Sequence, residues 1–411
     1  MERAKYGAQA HLHEVGQLPT AFPRTIGPNA MKYLREVVDS GLTCDMMGRF
    51  ERAFAEAYGV QHCVATPGCT PALAVLAASM PWEPGDEVIV SPVTDYGTVQ
   101  GLIAEHLIPV FPDTAPGSVN FSAETIAPCI TDRTRAILAV HFTGLVNDMD
   151  PINALAERHG LFVYEDVCQA VFSEYKGRLA GTLSKAAGFS FDGEKTMGSD
   201  VGGCLITNDG ELAERMRFVG QSRGGVMKPH FGRLHTVAGY AYRMPSCTAA
   251  ICLAQLEVVR EQVAHRDRMI RLMSEKLDAI PGIAALPIPE YANVYSCWMA
   301  GFSIDPAAFR CTVEEFAAQV AQAGIPGAGM GEYYLMPAAL TCLQDKAAAN
   351  VYPYSMPPAS RPYVYTAESC SNAVEYLKRY IRWSTFCERY QPEHCELAAS
   401  IVAEVAEKNR A

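Results

Sequence analysis

No stretch of the sequence is both long enough and free enough of charge to span a bilayer, and the opening residues, MERAKYGAQAHLHEVGQLPT, lack the apolar centre of a secretory signal. A membrane is therefore not expected as a partner, and the cytoplasm is the expected compartment. Basic charge is also scarce: 34 Lys and Arg stand against 45 Asp and Glu, a formal net charge of -11, and no Lys/Arg stripe alternates with aromatic residues. A nucleic-acid partner, whose phosphates would call for such a stripe, is not expected either. Cysteine is plentiful at 14 residues, but the short paired spacings that announce a zinc centre or a redox dithiol are absent. Reduced, mostly buried thiols are expected, and no metal. His11 and His13, two lone histidines in a polar leader, read as solvated rather than ligating. Low-complexity tracts and internal repeats are missing as well.

What remains is a chain of 411 residues, 49% of them hydrophobic, enough to bury a sizeable core in roughly two to three domains. From about Gln61 to Thr207, short apolar runs alternate with amphipathic ones, the pattern of β-α units building a largely parallel sheet covered on both faces. The strand candidates are HCVAT, EVIVS, IPVFP, AILAV, LFVYE, GFSF and CLIT, seven in all; PALAVLAASM and DPINALAERHG read as helices between them. Residues 1–30 are read as an N-terminal arm and 31–245 as a large α/β domain. Residues 246–411 are read as a linking helix, running from about Pro245 to Ala279, and a smaller C-terminal α+β domain. Between Ile325 and Arg361 the Pro-, Tyr- and Met-rich stretch is too punctuated for regular structure and is read as a long loop, either lining a substrate entrance or simply packed on the surface.

The chemistry concentrates in YEDVCQAVFSEYKGRLAGTLSKAAGFSFDGEKTMGSDVGG. Asp166 closes one strand, Ser190 ends another, and Lys195 follows in a glycine-flanked loop. In open α/β sheets the carboxyl ends of strands form the ligand crevice, so these three can converge on one pocket. Pyridoxal phosphate asks its host for a lysine amine, a carboxylate to keep the pyridine nitrogen protonated, and donors for its phosphate. Asp166, Ser190 and Lys195 supply all three types. Taken singly, each has a bland alternative: a turn cap, a backbone-bonded serine, a solvated lysine.

The combined pattern resembles the DegT/DnrJ/StrS family of pyridoxal-phosphate-dependent aminotransferases, which aminate keto sugars and cyclitols. GDEVIVSP, IPVFPDT, ITDRTRAILAVHFTG, DMDPI, HGLFVYEDVCQA, YKGRLAGT and FSFDGEK stand in the family's order. The resemblance implies fold type I, the aspartate-aminotransferase fold: a large domain with a mainly parallel seven-stranded sheet and a smaller C-terminal α+β domain. It also implies that Lys195 carries the cofactor as a Schiff base and then moves the proton, and that Asp166 pairs with the pyridine nitrogen. Gln169 falls beside the phenolic oxygen, and Ser190 on the phosphate. Cys69 and Thr70, at the start of a helix in ATPGCTPALAVLAA, add phosphate donors. Related sugar dehydratases carry histidine where Lys195 stands, so transamination is favoured. A homodimer is implied, since the family builds its active sites at a two-fold interface.

Three departures from the family pattern stand out. Cys69 replaces a glycine, which could crowd its loop. Asp95 occupies the place of a ring-stacking aromatic, so either Tyr96 stacks or the ring is covered differently, and Asp95 is a candidate for an amine or hydroxyl of the substrate. Ala241, before Tyr242 and Arg243, replaces an asparagine that in relatives reaches the neighbouring subunit's phosphate. Arg243, His235 and Tyr333 are further candidates for substrate contact. The expected reaction has two halves, with an amino-acid donor such as glutamate or glutamine and a keto acceptor. Two rivals stay open: a pyridoxal-phosphate-dependent elimination or dehydration, and a non-catalytic regulatory protein of the same fold.

Overall fold

The computed structural model of the protein describes residues 18–223, 226–230, 232–234, 237–331 and 334–411. The chain enters through α1 (Ala30–Asp39) and α2 (Met46–Tyr58), whose turn is closed by Gly59 in the left-handed region at φ 65°. Then follow β1 (His62–Thr66), α3 (Cys69–Ser79), β2 (Glu87–Val90), α4 (Gly97–Ala104), β3 (Ile108–Val110), α5 (Ala123–Ile126) and β4 (Thr134–Val140). The run continues with α6 (Met149–His159), β5 (Phe162–Asp166), a small ribbon of β6 (Glu174–Tyr175) and β7 (Arg178–Leu179), then β8 (Ala186–Ser190), β9 (Gly203–Thr207) and α7 (Gly210–Gln221).

Seven strands pair in the order β1-β9-β8-β5-β4-β2-β3, and only β9 runs against its neighbours. Each contains or overlaps one of the seven runs picked out by apolar character. Every residue of β2 and β8 is buried, which is why such strands read as continuous apolar runs rather than alternating ones. Two hydrophobic clusters cover the sheet's two faces, one gathering α1, α2 and α6 and the other α3, α4 and α7. The edge strand β3 is covered by a later segment, with the Tyr354 and Tyr365 hydroxyls donating to the carbonyls of Leu107 and Pro109 at 3.3 and 2.9 Å. Covered edges do not recruit foreign strands.

After the hairpin β10 (Val226–Lys228) and β11 (Gly232–Leu234) comes α8 (Ser246–Asp278), 33 residues or about 50 Å at 1.5 Å per residue. Its first half (Ala249, Ala250, Cys252, Leu253, Ala254) packs under the large sheet, while Met269, Ile270, Met273 and Leu277 belong to a third cluster. That cluster is built on β12 (Ile283–Ala285), β14 (Ala300–Ile304), β15 (Ala328–Met330) and β16 (Tyr380–Trp383), an antiparallel sheet ordered β12-β14-β16-β15. The intervening β13 (Ala292–Val294) instead extends the small β6-β7 ribbon. Helices α9 (Val313–Ala323) and α13 (Pro392–Lys408) pack on the antiparallel sheet.

One expectation is corrected here. The 325–361 stretch is not devoid of regular structure: it contains β15, α10 (Met336–Ala339) and α11 (Thr341–Ala348). Its prolines stand where they do no harm, Pro337 in the first turn of α10, where its missing N–H has no intrahelical partner to lose. A further helix, α12 (Ser371–Leu377), precedes β16.

Candidate active site

Where β4, β5 and β8 end side by side, a cavity of about 620 Å³ opens, within the roughly 300–1,000 Å³ usual for small-molecule sites. Its lining brings together Cys69, Thr70, Asp95, Asp166, Gln169, Ser190 and Lys195. The sheet explains the convergence: parallel strands deliver their carboxyl ends to one edge, so side chains far apart in sequence share one crevice.

Asp166, the last residue of β5, is 3% exposed. One carboxylate oxygen accepts from the Cys168 backbone N–H at 3.0 Å, the other from the Thr98 hydroxyl at 2.8 Å. Thr98 is in turn 2.7 Å from the Thr94 hydroxyl, which must be the donor there because the Thr98 proton is already committed. Thr98 escaped the sequence reading, although its place four residues after Thr94, at the head of a helix, is the spacing that lets two hydroxyls meet. Among the described residues Asp166 has no cationic partner, an unusual state for a buried carboxylate.

The start of α3 lines the same cavity. The first residues of α3, Cys69 and Thr70, have backbone N–H groups outside the intrahelical ladder, which begins with Ala72 donating to the Gly68 carbonyl at 3.1 Å. The loop lies directly on β9: a Cβ on Gly203 would come within 2.4 Å of the Gly68 carbonyl carbon and 2.6 Å of the Cys69 nitrogen, so only glycine fits. The Cys69 side chain does not crowd the loop. It turns inward beside Gly188, where a Cβ would stand 3.3 Å from Cys69 Sγ, and the missing side chain makes the room. Burial pushes the Cys69 thiol pKa up, and that of Cys168, hydrogen-bonded to it, well above the ordinary thiol value.

Gln169 is held by Oε1, which accepts from the Thr143 N–H at 2.5 Å. Ser190 is buried, its hydroxyl accepting a long 3.3 Å bond from the Asp192 N–H. The Lys195 loop is fastened from several sides. Lys195 N–H donates to the Asp192 carbonyl at 2.9 Å, and Arg24 donates to the carbonyls of Lys195 and, at 3.1 Å, Thr196. Trp298 donates its indole N–H to the Glu194 carbonyl at 2.8 Å. The same indole lies under the Lys195 ammonium, Nζ being 3.9 Å from the ring centroid. Trp298 arrives from beyond α8, and nothing local in the sequence marks it.

Other expected residues fall elsewhere. Tyr96 is 51% exposed at the start of α4 and does not line the cavity. Asp95 does, but one of its oxygens is taken up locally, accepting the N–H of Gly97, the first residue of α4, at 3.0 Å. Ala241 and Arg243 are exposed, Tyr242 stacks on Tyr240 with centroids 4.7 Å apart, and none of the three lines the cavity within one chain. Tyr333, His235, His11 and His13 lie outside the described residues. The neighbouring Tyr334 lines the cavity, with its carbonyl accepting from the Thr94 N–H at 2.9 Å, so the 325–361 segment does reach the site.

The sequence profile of the DegT/DnrJ/EryC1/StrS aminotransferase family matches residues 24–360. The chain belongs to this family. It is similar to the GDP-perosamine synthase of Caulobacter vibrioides, 36% identical over 292 residues, 70% of this chain and 77% of the relative. It is also 34% identical over 277 residues to the spore coat polysaccharide biosynthesis protein SpsC of Bacillus subtilis, 65% of this chain and 70% of that one. The solved structure of 3-amino-5-hydroxybenzoic acid synthase superposes with a TM-score of 0.81 at 25% identity, covering 96% of this chain and 100% of that chain. As a member of the family, the protein is a pyridoxal-phosphate-dependent aminotransferase of fold type I. The site fits that cofactor on its own terms: a buried carboxylate without a cation partner, a helix N-terminus with free donors, and a lysine over an aromatic ring share one cavity.

Proposed function

We propose that the enzyme moves an amino group from an amino-acid donor, glutamate or glutamine, to the ketone of a sugar, nucleotide-linked as the names of the GDP-perosamine synthase relatives suggest. Within this reading Lys195 holds the cofactor and, once released, carries the proton between the substrate carbon and the cofactor. Asp166 faces the pyridinium nitrogen, with Thr98 orienting its carboxylate. Ser190, Thr70 and the Cys69 N–H grip the phosphate, while Gln169 stands at the phenolic oxygen. Bound there, pyridoxal phosphate supplies an electron sink for the pair left behind when the proton leaves the carbon bearing nitrogen. Asp95, half-exposed at the cavity wall, is the candidate contact for a substrate hydroxyl.

The observation carrying this reading is the solitary buried carboxylate of Asp166 in the same cavity as Lys195. A buried charge without a partner costs several kcal/mol, roughly, unless a ligand brings the countercharge. A cationic heterocycle brings one.

Residues 31–245 as a cofactor domain and 246–411 as a small domain with its linking helix, and a cytoplasmic homodimer, belong to the same proposal. Tyr240 and Tyr242 anchor the 237–243 segment to the Val219 and Gly220 carbonyls, and the exposed Arg243 side chain beyond them is placed to serve a neighbour's site. The test is reconstitution of the purified protein with pyridoxal phosphate, borohydride reduction and mass mapping, followed by single turnover with a panel of amino acids. An adduct on Lys195, bleaching of the cofactor absorbance by glutamate or glutamine, and recovery of colour with a nucleotide-linked keto sugar are expected. An adduct on another lysine, or normal turnover by Lys195→Ala, overturns the assignment. Elimination products without amine transfer would replace it with the dehydratase rival.

A further inference from the structure

The cofactor cavity contains two thiols that the transamination chemistry does not use, beside a carboxylate that it does. Cys69 Sγ, Cys168 Sγ and a carboxylate oxygen of Asp166 all lie within 4.8 Å of one another. We propose that the cavity, before pyridoxal phosphate is loaded, is a binding site for a thiophilic divalent cation held by Cys69, Cys168 and Asp166. This rests on the reading of Asp166 as the partner of the pyridine nitrogen, because the same carboxylate then serves two competing guests.

The geometry suits a soft, four-coordinate ion. With zinc–sulfur bonds of about 2.3 Å and zinc–oxygen bonds of about 2.0–2.2 Å, tetrahedral ligand atoms stand roughly 3.4–3.8 Å apart. Side-chain rotation of an ångström or less, about the scale of that difference, closes the set. Each ligand comes from a firm place: Cys69 from the first turn of α3, Asp166 from the end of β5, and Cys168 from the turn whose N–H binds Asp166 at 3.0 Å. Thr98, donating to Asp166 at 2.8 Å, fixes one ligand from behind, as outer partners of metal ligands do. Three protein ligands leave a fourth position facing the open cavity, the layout of a zinc site that keeps an exchangeable ligand. Two thiols select zinc, cadmium or cobalt and reject magnesium and calcium, which want oxygen throughout.

Charge and protons balance. Both thiols are free, and both must lose a proton to solvent for the cation to bind. Two thiolates, one carboxylate and a divalent cation sum to a single negative charge, and Lys195 lines the same cavity to offset it. Because binding releases both thiol protons, affinity rises with pH. The functional consequence is that such a cation blocks cofactor loading and leaves when a chelator or excess cofactor is supplied.

The probe is cobalt(II), titrated into full-length protein stripped of cofactor, with thiols reduced and the reductant removed. The expected result is one equivalent with a sulfur-to-cobalt charge-transfer band and tetrahedral visible bands, stronger at mildly alkaline than mildly acidic pH and displaced by zinc. The band disappears in Cys168→Ala and in Cys69→Ala, weakens by about tenfold in affinity in Asp166→Asn, and fails to form after pyridoxal phosphate is loaded. A band that persists in both cysteine variants overturns the proposal. So does a band unaffected by bound cofactor, or its absence from stripped protein that still takes up cofactor. The two readings fail separately: the cysteine variants judge the cation site, while borohydride mapping of metal-free protein judges Lys195.

Discussion

Two neighbouring acids at the end of one strand, Glu165 and Asp166, illustrate how the same chemistry is put to opposite uses. Their side chains leave opposite faces of the sheet, since a strand alternates direction at every residue. Glu165 is fully buried and answered by four donors: His141 Nε2 at 2.9 Å, the Gly181 and Leu183 N–H groups at 2.6 and 2.9 Å, and the Ser184 hydroxyl at 2.8 Å. His141 is itself held by Asn147. Asp166 has two donors, both neutral, and a cavity in front of it. The first carboxylate ties strands and loops together. The second has no cationic partner among the described residues and stands at the wall of the cavity.

Substitutions break this comparison apart. Asp166→Asn keeps shape and volume but removes the charge; a loss of at least about a thousandfold in transamination is expected, with the melting temperature of the cofactor-free protein raised rather than lowered. Full activity would mean the carboxylate has no part in the reaction. Glu165→Gln should do the reverse, costing about 3–5 kcal/mol in a denaturant titration because a buried network loses its charge, while the folded fraction keeps its turnover. Equal stability with lost turnover would place Glu165 on the functional side.

Finer tests sharpen the boundary. Thr98→Val removes one hydrogen bond to Asp166, about 1.4 kcal/mol, so kcat should fall about tenfold with KM for the donor little changed. A KM effect alone would show that Thr98 meets substrate instead. Trp298→Leu removes both the ring beneath Lys195 and the donor to the Glu194 carbonyl. A loss of roughly two- to fivefold is expected, with a shift in the pH titration of the cofactor absorbance that Trp298→Phe partly restores. An unmoved titration would reduce Trp298 to a packing residue.

Much of the architecture was legible because it is written in local pattern. Strands buried on both faces leave apolar runs such as EVIV and AILAV, and helices between them repeat at their own period, so seven strands could be counted before any was seen. The residues gathered at the cavity were legible for a related reason: Asp166 and Ser190 end strands, and Cys69 and Thr70 open a helix, positions set by chain order. Local pattern does not encode placement that depends on what packs against a segment. Tyr96 stands exposed just before α4 while its neighbour Asp95 lines the cavity, and the proline-rich 325–361 segment gains a strand by pairing with β16.

The sequence by itself determined the class of sheet, its strand count and the kinds of side chain offered at its carboxyl edge, since hydrophobic periodicity and residue type are local properties. Only the tertiary structure decided that Thr98 would steady Asp166, that Trp298 would lie beneath Lys195, and that two thiols without any metal spacing would meet beside a carboxylate. Those contacts join segments far apart in the chain, and their distances are set by how helices and strands pack rather than by anything neighbouring residues can encode.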